Sequence, residues 1–286
     1  MRRRKAYLLL LELVTALLFA LYFSPFYILV VNAFKSRYEV LTDVLGLPDS
    51  WSQAMANLRA ILANPNLRFG ASAVSSVIIT SCSLVVIALF SAMAAWVLVR
   101  TKNRVSTFVF MMYVAAMVIP FQVVMLPLVS WMRMIHQWTG IPMLRTYHGL
   151  IFAYLGFGSS LSIFLYHGFI KGIPKELEEA AIIDGCSRPQ VFFRIILPIL
   201  RPVTVTVLIL NGIWIWNDFL LPLLMLGIGN EIQTIPLAIA GFIGSFVKQW
   251  ELIMLALLLA IVPVVVLFLL AQKHIIRGMV EGSVKG

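Results

Sequence analysis

The chain has 286 residues, of which 61% are hydrophobic and only 12% charged, and its mean hydropathy is +0.97. A soluble domain carries about 25% charged residues, so this composition excludes a soluble globular protein and points to an integral membrane protein. In such a protein the net charge of +10 collects in loops on the cytoplasmic side and is no sign of a nucleic-acid partner.

A basic cluster, Met1 to Lys5, precedes an apolar run from about Tyr7 to Phe34. That run is longer than the 7–15-residue apolar region of a signal peptide, so it is expected to stay as the first span. Glu12 lies about a turn inside it, placed to pair with the basic cluster or to snorkel to the interface. A mixed loop follows, with turn signals at Gly46, Pro48-Asp49 and Asn64-Pro65-Asn66. Trp51 and the run Met55 to Leu62 predict a small interfacial helix there. The second span runs from about Gly70 to Val99 and is rich in small residues that allow close helix packing. The third, about Phe108 to Met132, contains Pro120 and Pro127 and should be kinked. The fourth runs from about Tyr147 to Ile170, the fifth from Val203 to Leu226, and the sixth from Glu251 to Gln272, after a loop over Gly227 to Trp250.

Between the fourth and fifth spans lies a polar stretch, Pro174 to Pro202, holding Glu176, Glu178, Glu179 and Asp184. It reads as an elbow of two short helices. Pro174 suits a first turn, and the three glutamates favour the positive end of the helix dipole. Gly185 can take the left-handed geometry that ends a helix; Ser187 can cap the next, with Pro189 in its first turn and Pro198 marking a stop or kink. Leu177, Ala180, Ala181 and Asp184 recur at helical spacing, and the alanines would let another protein sit close. An amphipathic helix lying on the lipid surface is the alternative.

Six spans put both termini on one side. Of the Lys and Arg residues, 15 share the side of the termini and the elbow, against 7 opposite, so that side is read as cytoplasmic. The chain has no G-x-x-x-x-G-K-[ST] phosphate loop, which argues against ATP binding by this chain itself. Cys82 and Cys186 fit no disulfide or zinc spacing, and the four histidines are scattered. Gly158-Ser159-Ser160 reads as a small-residue packing site rather than a nucleophile turn. Asp218 is the one acid deep in a span, so no pair of intramembrane carboxylates is available for proteolysis. In the fifth span Asn211, Trp214 and Asp218 share a face by their spacing, with Asn217 beside them. Aromatic rings with amides and a carboxylate suit a sugar. The alternative is that Asn217 and Asp218 cap or bridge helices near a kink at Pro222. Gln122, just after Pro120, carries the same two readings.

Glu179-Ala180-Ala181, Gly185 and Ile195-x-Leu197-Pro198 resemble the EAA loop of bacterial ABC importer permeases. Trp216-Asn217-Asp218-Phe219 with Pro222 resembles a signature of the maltose class of carbohydrate permeases. Arg277-Gly278-x-x-x-Gly282-x-x-Lys285-Gly286 is similar to the end of the G-type member of that permease pair. Cys186, where alanine is common, and Ile182-Ile183, where a basic residue is frequent, depart from the pattern. The resemblance implies an all-α integral membrane protein of the type I ABC importer permease fold, with six transmembrane helices and a cytoplasmic coupling-helix elbow. It divides the chain into an N-terminal span and extracytoplasmic loop (1–69), a permease core (70–273) and a cytoplasmic tail (274–286). Glu179, Ala180, Ala181, Asp184 and Gly185 would make the ATPase-coupling contact, and Gln122, Asn211, Trp214, Asn217 and Asp218 the substrate pathway. It further implies no cofactor in this chain, ATP and Mg on a pair of partner ATPase subunits, a second homologous permease subunit and an extracytoplasmic sugar-binding protein, at the bacterial cytoplasmic membrane. A stand-alone secondary transporter or channel is the competing class.

Overall fold

A computed structural model describes residues 2–65, 67–243 and 249–283, with the backbone alone for 2–6, 242–243, 267 and 270–283. Every regular element among the described residues is helical. The chain forms two compact units, one of residues 1–70 and 238–263, the other of residues 71–237 and 264–286.

The first unit starts with α1 (Arg2–Ala33), which passes through Pro25 without a break. From Tyr7 to Phe26 its large apolar side chains are exposed. A run of that length can be covered only by lipid or by another chain. Beyond it the loop is held by polar bonds around two short helices, α2 (Arg37–Thr42) and α3 (Gln53–Ala63), the latter where an interfacial helix is expected. Lys35 is fully buried and its ammonium donates to the Asp43 carbonyl. The Asn57 amide donates to the carbonyls of Ala33 (3.2 Å) and Lys35 (3.0 Å). Trp51 packs edge-on against Phe34 at 5.2 Å.

Glu39 closes this loop. Its carboxylate accepts the Ser36 N–H at 2.7 Å and the Asp49 N–H at 2.8 Å, while its own N–H donates to Ser36 Oγ. The hydrogen bonds with Ser36, then those from Asp49 and the Ser36 backbone, and the nearby Lys35 charge hold the carboxyl below its usual range. A lowered carboxyl stabilises the fold above its unfolded pKa of about 4.3, and that contribution disappears as pH falls through the folded value. Protease cleavage within 43–50 is therefore expected to be low at neutral pH and to rise as pH falls through the lowered carboxyl value. In Glu39→Gln this pH step should vanish; an unchanged step would show that another group closes the loop.

The second unit holds α4 (Phe69–Arg100), α5 (Arg104–Ala116), α6 (Phe121–Thr139), α7 (Tyr147–Ile170), α8 (Glu176–Ile183), α9 (Arg188–Ile199), α10 (Arg201–Asn217) and α11 (Leu220–Leu226). The helix α12 (Ile235–Ile243) crosses from one unit to the other within what reads in sequence as a loop, and α13 (Trp250–Ser283) does the same further on. Residues 284–286, with Lys285 and Gly286, and the side chains of Arg277 and the rest of the tail motif lie outside the described residues.

Three helices among the described residues are long and apolar enough to cross a membrane: Tyr7–Ala33, Phe69–Arg100 and Tyr147–Ile170. They match the first, second and fourth expected spans. The third is not a single kinked helix. Helices α5 and α6 meet at 110°. Pro120 takes extended backbone angles at the break, whereas Pro127 is carried inside α6. A proline lacks the N–H of a continued helix and disfavours helical geometry in the residue before it, Ile119. The fifth is broken as well. It ends at Asn217 and restarts at Leu220, so the break falls at Asp218, four residues before Pro222, whose ring would meet the Asp218 carbonyl in a continuous helix. The apolar described part of the sixth is the shorter Trp250–Val266.

One core joins the elbow to the spans: Ala92 and Ala95 of α4, Ile163, Tyr166 and Ile170 of α7, Ala181 of α8, Val191, Phe192 and Ile196 of α9. A second lies toward the other end of α7, around Leu150, Ala153, Tyr154, Ile215 and Leu221. Gly158 sits where helices cross. A Cβ there would come within 2.6 Å of Ile87 and 2.8 Å of the Asn211 side-chain oxygen, which agrees with a small-residue packing site.

Candidate functional site

The elbow forms as its local signals require. Helix α8 ends in a Schellman motif: Gly185 N–H donates to Ile182 O (3.0 Å) and Cys186 N–H to Ala181 O (2.9 Å), with Gly185 at φ +87°. The Gln190 side chain accepts the Ser187 N–H at 2.7 Å, opening α9 with Pro189 in its first turn. Residues Phe192–Ile196 widen into a π turn. The Leu197 N–H there bonds the Phe192 carbonyl, five residues back. The helix then bends by 76° into α10 at Leu200, two residues beyond Pro198.

The elbow has an inner and an outer face. Ala181 faces inward and is buried in the chain's own core. Glu179, Ala180, Asp184 and Gly185 are exposed. Around them Leu177 is 46%, Ile182 52% and Ile183 85% exposed. A helix pair packed on one side and apolar and bare on the other fits either a protein partner or the lipid surface.

Three residues that fix the elbow escape a reading of spacing and composition. Glu178, which reads as a dipole-favouring surface acid, is instead buried against the end of α4. Its carboxylate accepts Arg100 Nε at 2.7 Å and Trp96 Nε1 at 3.0 Å, and Arg100 Nη2 also bonds the Ile173 carbonyl at 3.1 Å. Trp96 and Arg100 are one turn apart on α4, so both reach one carboxylate. The Trp96 ring packs on Phe192 of α9 at 5.6 Å. The strut therefore ties both elbow helices to the second span. The sequence signal, a Trp and an Arg four apart at a span end, is too common to single them out.

In the fifth span, Asn211, Trp214 and Asp218 do share a face, and that face lies on α7. The buried Asn211 amide donates to Ser162 Oγ at 3.0 Å and Val207 O at 2.9 Å. Tyr154 OH donates to Asp218 Oδ2 at 3.0 Å, and the Trp214 ring meets Tyr154 edge-on at 5.5 Å. The other Asp218 oxygen accepts the Leu220 N–H at 3.0 Å and caps α11. Asn211 and Asp218 are thus occupied as helix ties. Trp214 and Asn217 stay exposed, as does Gln122 at the start of α6. The described residues contain no cluster of His, Cys, Asp or Glu fit for a metal.

Residues 84–281 match the family profile of the binding-protein-dependent transport system inner membrane component. Among curated proteins, the chain is 44% identical to the probable starch degradation products transport system permease protein AmyC of Thermoanaerobacterium thermosulfurigenes, over 96% of each chain. It is 34% identical to the melibiose/raffinose/stachyose import permease protein MelC of Bacillus subtilis, over 97% of this chain and 96% of that one. Among solved structures, a bacterial ABC transporter involved in import of the acidic polysaccharide alginate has a chain that superimposes with a TM-score of 0.76 at 19% identity, over 96% of this chain and 98% of that chain. At that identity the likeness is one of fold.

Proposed function

The chain belongs to the family of binding-protein-dependent transport system inner membrane components, and from that premise we propose that it is one permease subunit of an ATP-driven carbohydrate importer, with an oligosaccharide as cargo. The sugar class is supported by the cargo named for its relatives, starch degradation products and melibiose, raffinose and stachyose. In this reading the chain spans the membrane six times with the broken third and fifth helices each counted as one span, and the elbow and both termini are cytoplasmic. A second homologous permease completes the pathway. Two ATPase subunits bind ATP and Mg, and an extracytoplasmic binding protein delivers the sugar.

The observation that carries the reading is the outward face of the elbow. Glu179 offers a charge to a basic partner group, Ala180 and Gly185 allow close approach, and Ile183 and Leu177 supply apolar area. Asp184 borders the patch. Closure of the ATPase pair on ATP would carry the elbow with it. The Arg100–Glu178 strut passes that movement to α4, and the bend at Leu200 passes it to α10. A packed contact transmits rigid-body motion because it has few intermediate arrangements. The walls of the pathway are held by Asn211 and Asp218, and Trp214, Asn217 and Gln122 are the exposed groups that would meet sugar hydroxyls and ring CH faces.

The test is uptake of labelled maltooligosaccharides and raffinose-type sugars by cells with and without the gene for this chain. Uptake of at least one sugar should disappear on deletion, return on complementation, and stop when ATP is depleted while the membrane potential is clamped. Uptake that persists without ATP and follows the ion gradient would favour a secondary transporter.

A further inference from the structure

At the shared end of α4, α5 and α7 lies a cleft of about 1060 Å³ that no function described above uses. Arg100, Lys102, Arg104, Lys171 and Lys175 line it, and no acidic residue among those described does. The charge of Arg100 is answered by Glu178 outside the cleft, at 2.7 Å. The other four cations have no acidic partner among the described residues. Four like charges around one concavity repel one another unless an anion occupies it. The N-terminus of α5, capped by Asn103, adds the positive end of a helix dipole.

The remaining wall is apolar. Phe108 and Met111 line the cleft and are exposed, and with Val105 they make an apolar strip along α5, on a helix that leads into the membrane-spanning region. A soluble anion would satisfy the cations and make no use of the strip beside them. A molecule with an anionic head and an apolar tail satisfies both. We propose that the cleft is a binding site for an anionic phospholipid, its phosphate headgroup held by Lys102, Arg104, Lys171 and Lys175 and its acyl chain lying along Val105, Phe108 and Met111. Basic pockets between spanning helices at the cytoplasmic surface take such headgroups. The site rests on the function proposed above only for the side of the membrane it faces. Bound at the root of the elbow, the lipid would steady the α4 end to which Glu178 is anchored.

The test is lipid retention by the full chain, purified with its co-assembled subunits and titrated with phosphatidylglycerol or phosphatidylcholine in mixed micelles, read by native mass spectrometry. One saturable phosphatidylglycerol per copy is expected, with phosphatidylcholine not retained. Each cation near a headgroup strengthens binding by roughly fivefold, so Lys102→Gln/Lys171→Gln should weaken it about twenty-five-fold. The charge-retaining Lys102→Arg/Lys171→Arg should bind as the parent does, which guards against a folding defect. Equal retention by the glutamine variant, or of both lipids, would overturn the proposal. Displacement by millimolar inorganic phosphate would make it a site for a soluble phosphate and not a lipid. Binding only after the other subunits are stripped would make it a protein contact. Sugar uptake is not the readout, so failure here leaves the importer reading standing, and the converse holds too.

Discussion

Arg100→Glu is expected to abolish transport while leaving the chain in the membrane. The substitution puts a second carboxylate beside the buried Glu178 and removes the donors to Glu178 and the Ile173 carbonyl. Breaking a buried ion pair from one side costs about 3–5 kcal/mol. At about 1.4 kcal/mol per factor of ten, a loss of 3 kcal/mol confined to the elbow lowers its correctly seated population by about a hundredfold. Spans α4 and α7 keep their own core, so insertion and abundance should change little. Glu178→Gln should be milder, because the amide oxygen can still accept the Trp96 N–H. The double exchange Arg100→Glu/Glu178→Arg should recover part of the activity, limited by the Trp96 N–H, which then loses its acceptor. Uptake in intact cells measures all three. Full uptake by Arg100→Glu would mean that the elbow is positioned without the strut.

The second large effect is expected on the outer face. Ile183 is 85% exposed and Ala180 is exposed, so Ile183→Asp and Ala180→Trp disturb nothing within the chain. If a partner covers this face, burying Ile183 contributes about 1.5–3 kcal/mol to the contact, and an aspartate there loses that and adds a desolvated charge. Association with the ATPase should weaken by roughly tenfold or more, and uptake should fall with it. Ala181→Glu is a different experiment. Ala181 belongs to the chain's own core, so the glutamate would damage the elbow itself and say nothing about docking.

The elbow is legible in the sequence because its signals are local. Gly185, Ser187 and Pro189 each act within one turn, and each does in the structure what its chemistry favours. Its two faces are less legible: Ala180 and Ala181 are adjacent and alike, yet one is bare and the other buried, because only the packing of α8 on α4 and α9 decides which way the helix is turned. The strut was hidden for a related reason. Arg100 and Glu178 meet across 78 positions of chain, and no periodicity links residues so far apart. Proline is ambiguous in another way. Pro127 is absorbed within a helix, Pro120 marks a 110° break, and Pro222 breaks its span one turn upstream, at Asp218. Nothing in the local sequence separates the three. The polar stripe of the fifth span was legible as a face. Its use as a tie to α7 by Asn211 and Asp218 was legible only as one of two alternatives.

The most direct measurement is purification of the tagged chain from its own membranes in mild detergent, with every co-purifying protein identified by mass spectrometry. A second permease and an ATPase subunit in stable proportion, with the ATPase lost from Ile183→Asp, is the expected result. Recovery of the chain alone, monodisperse and moving sugar into liposomes without ATP, would contradict a coupling role for the elbow and return the chain to the stand-alone transporters.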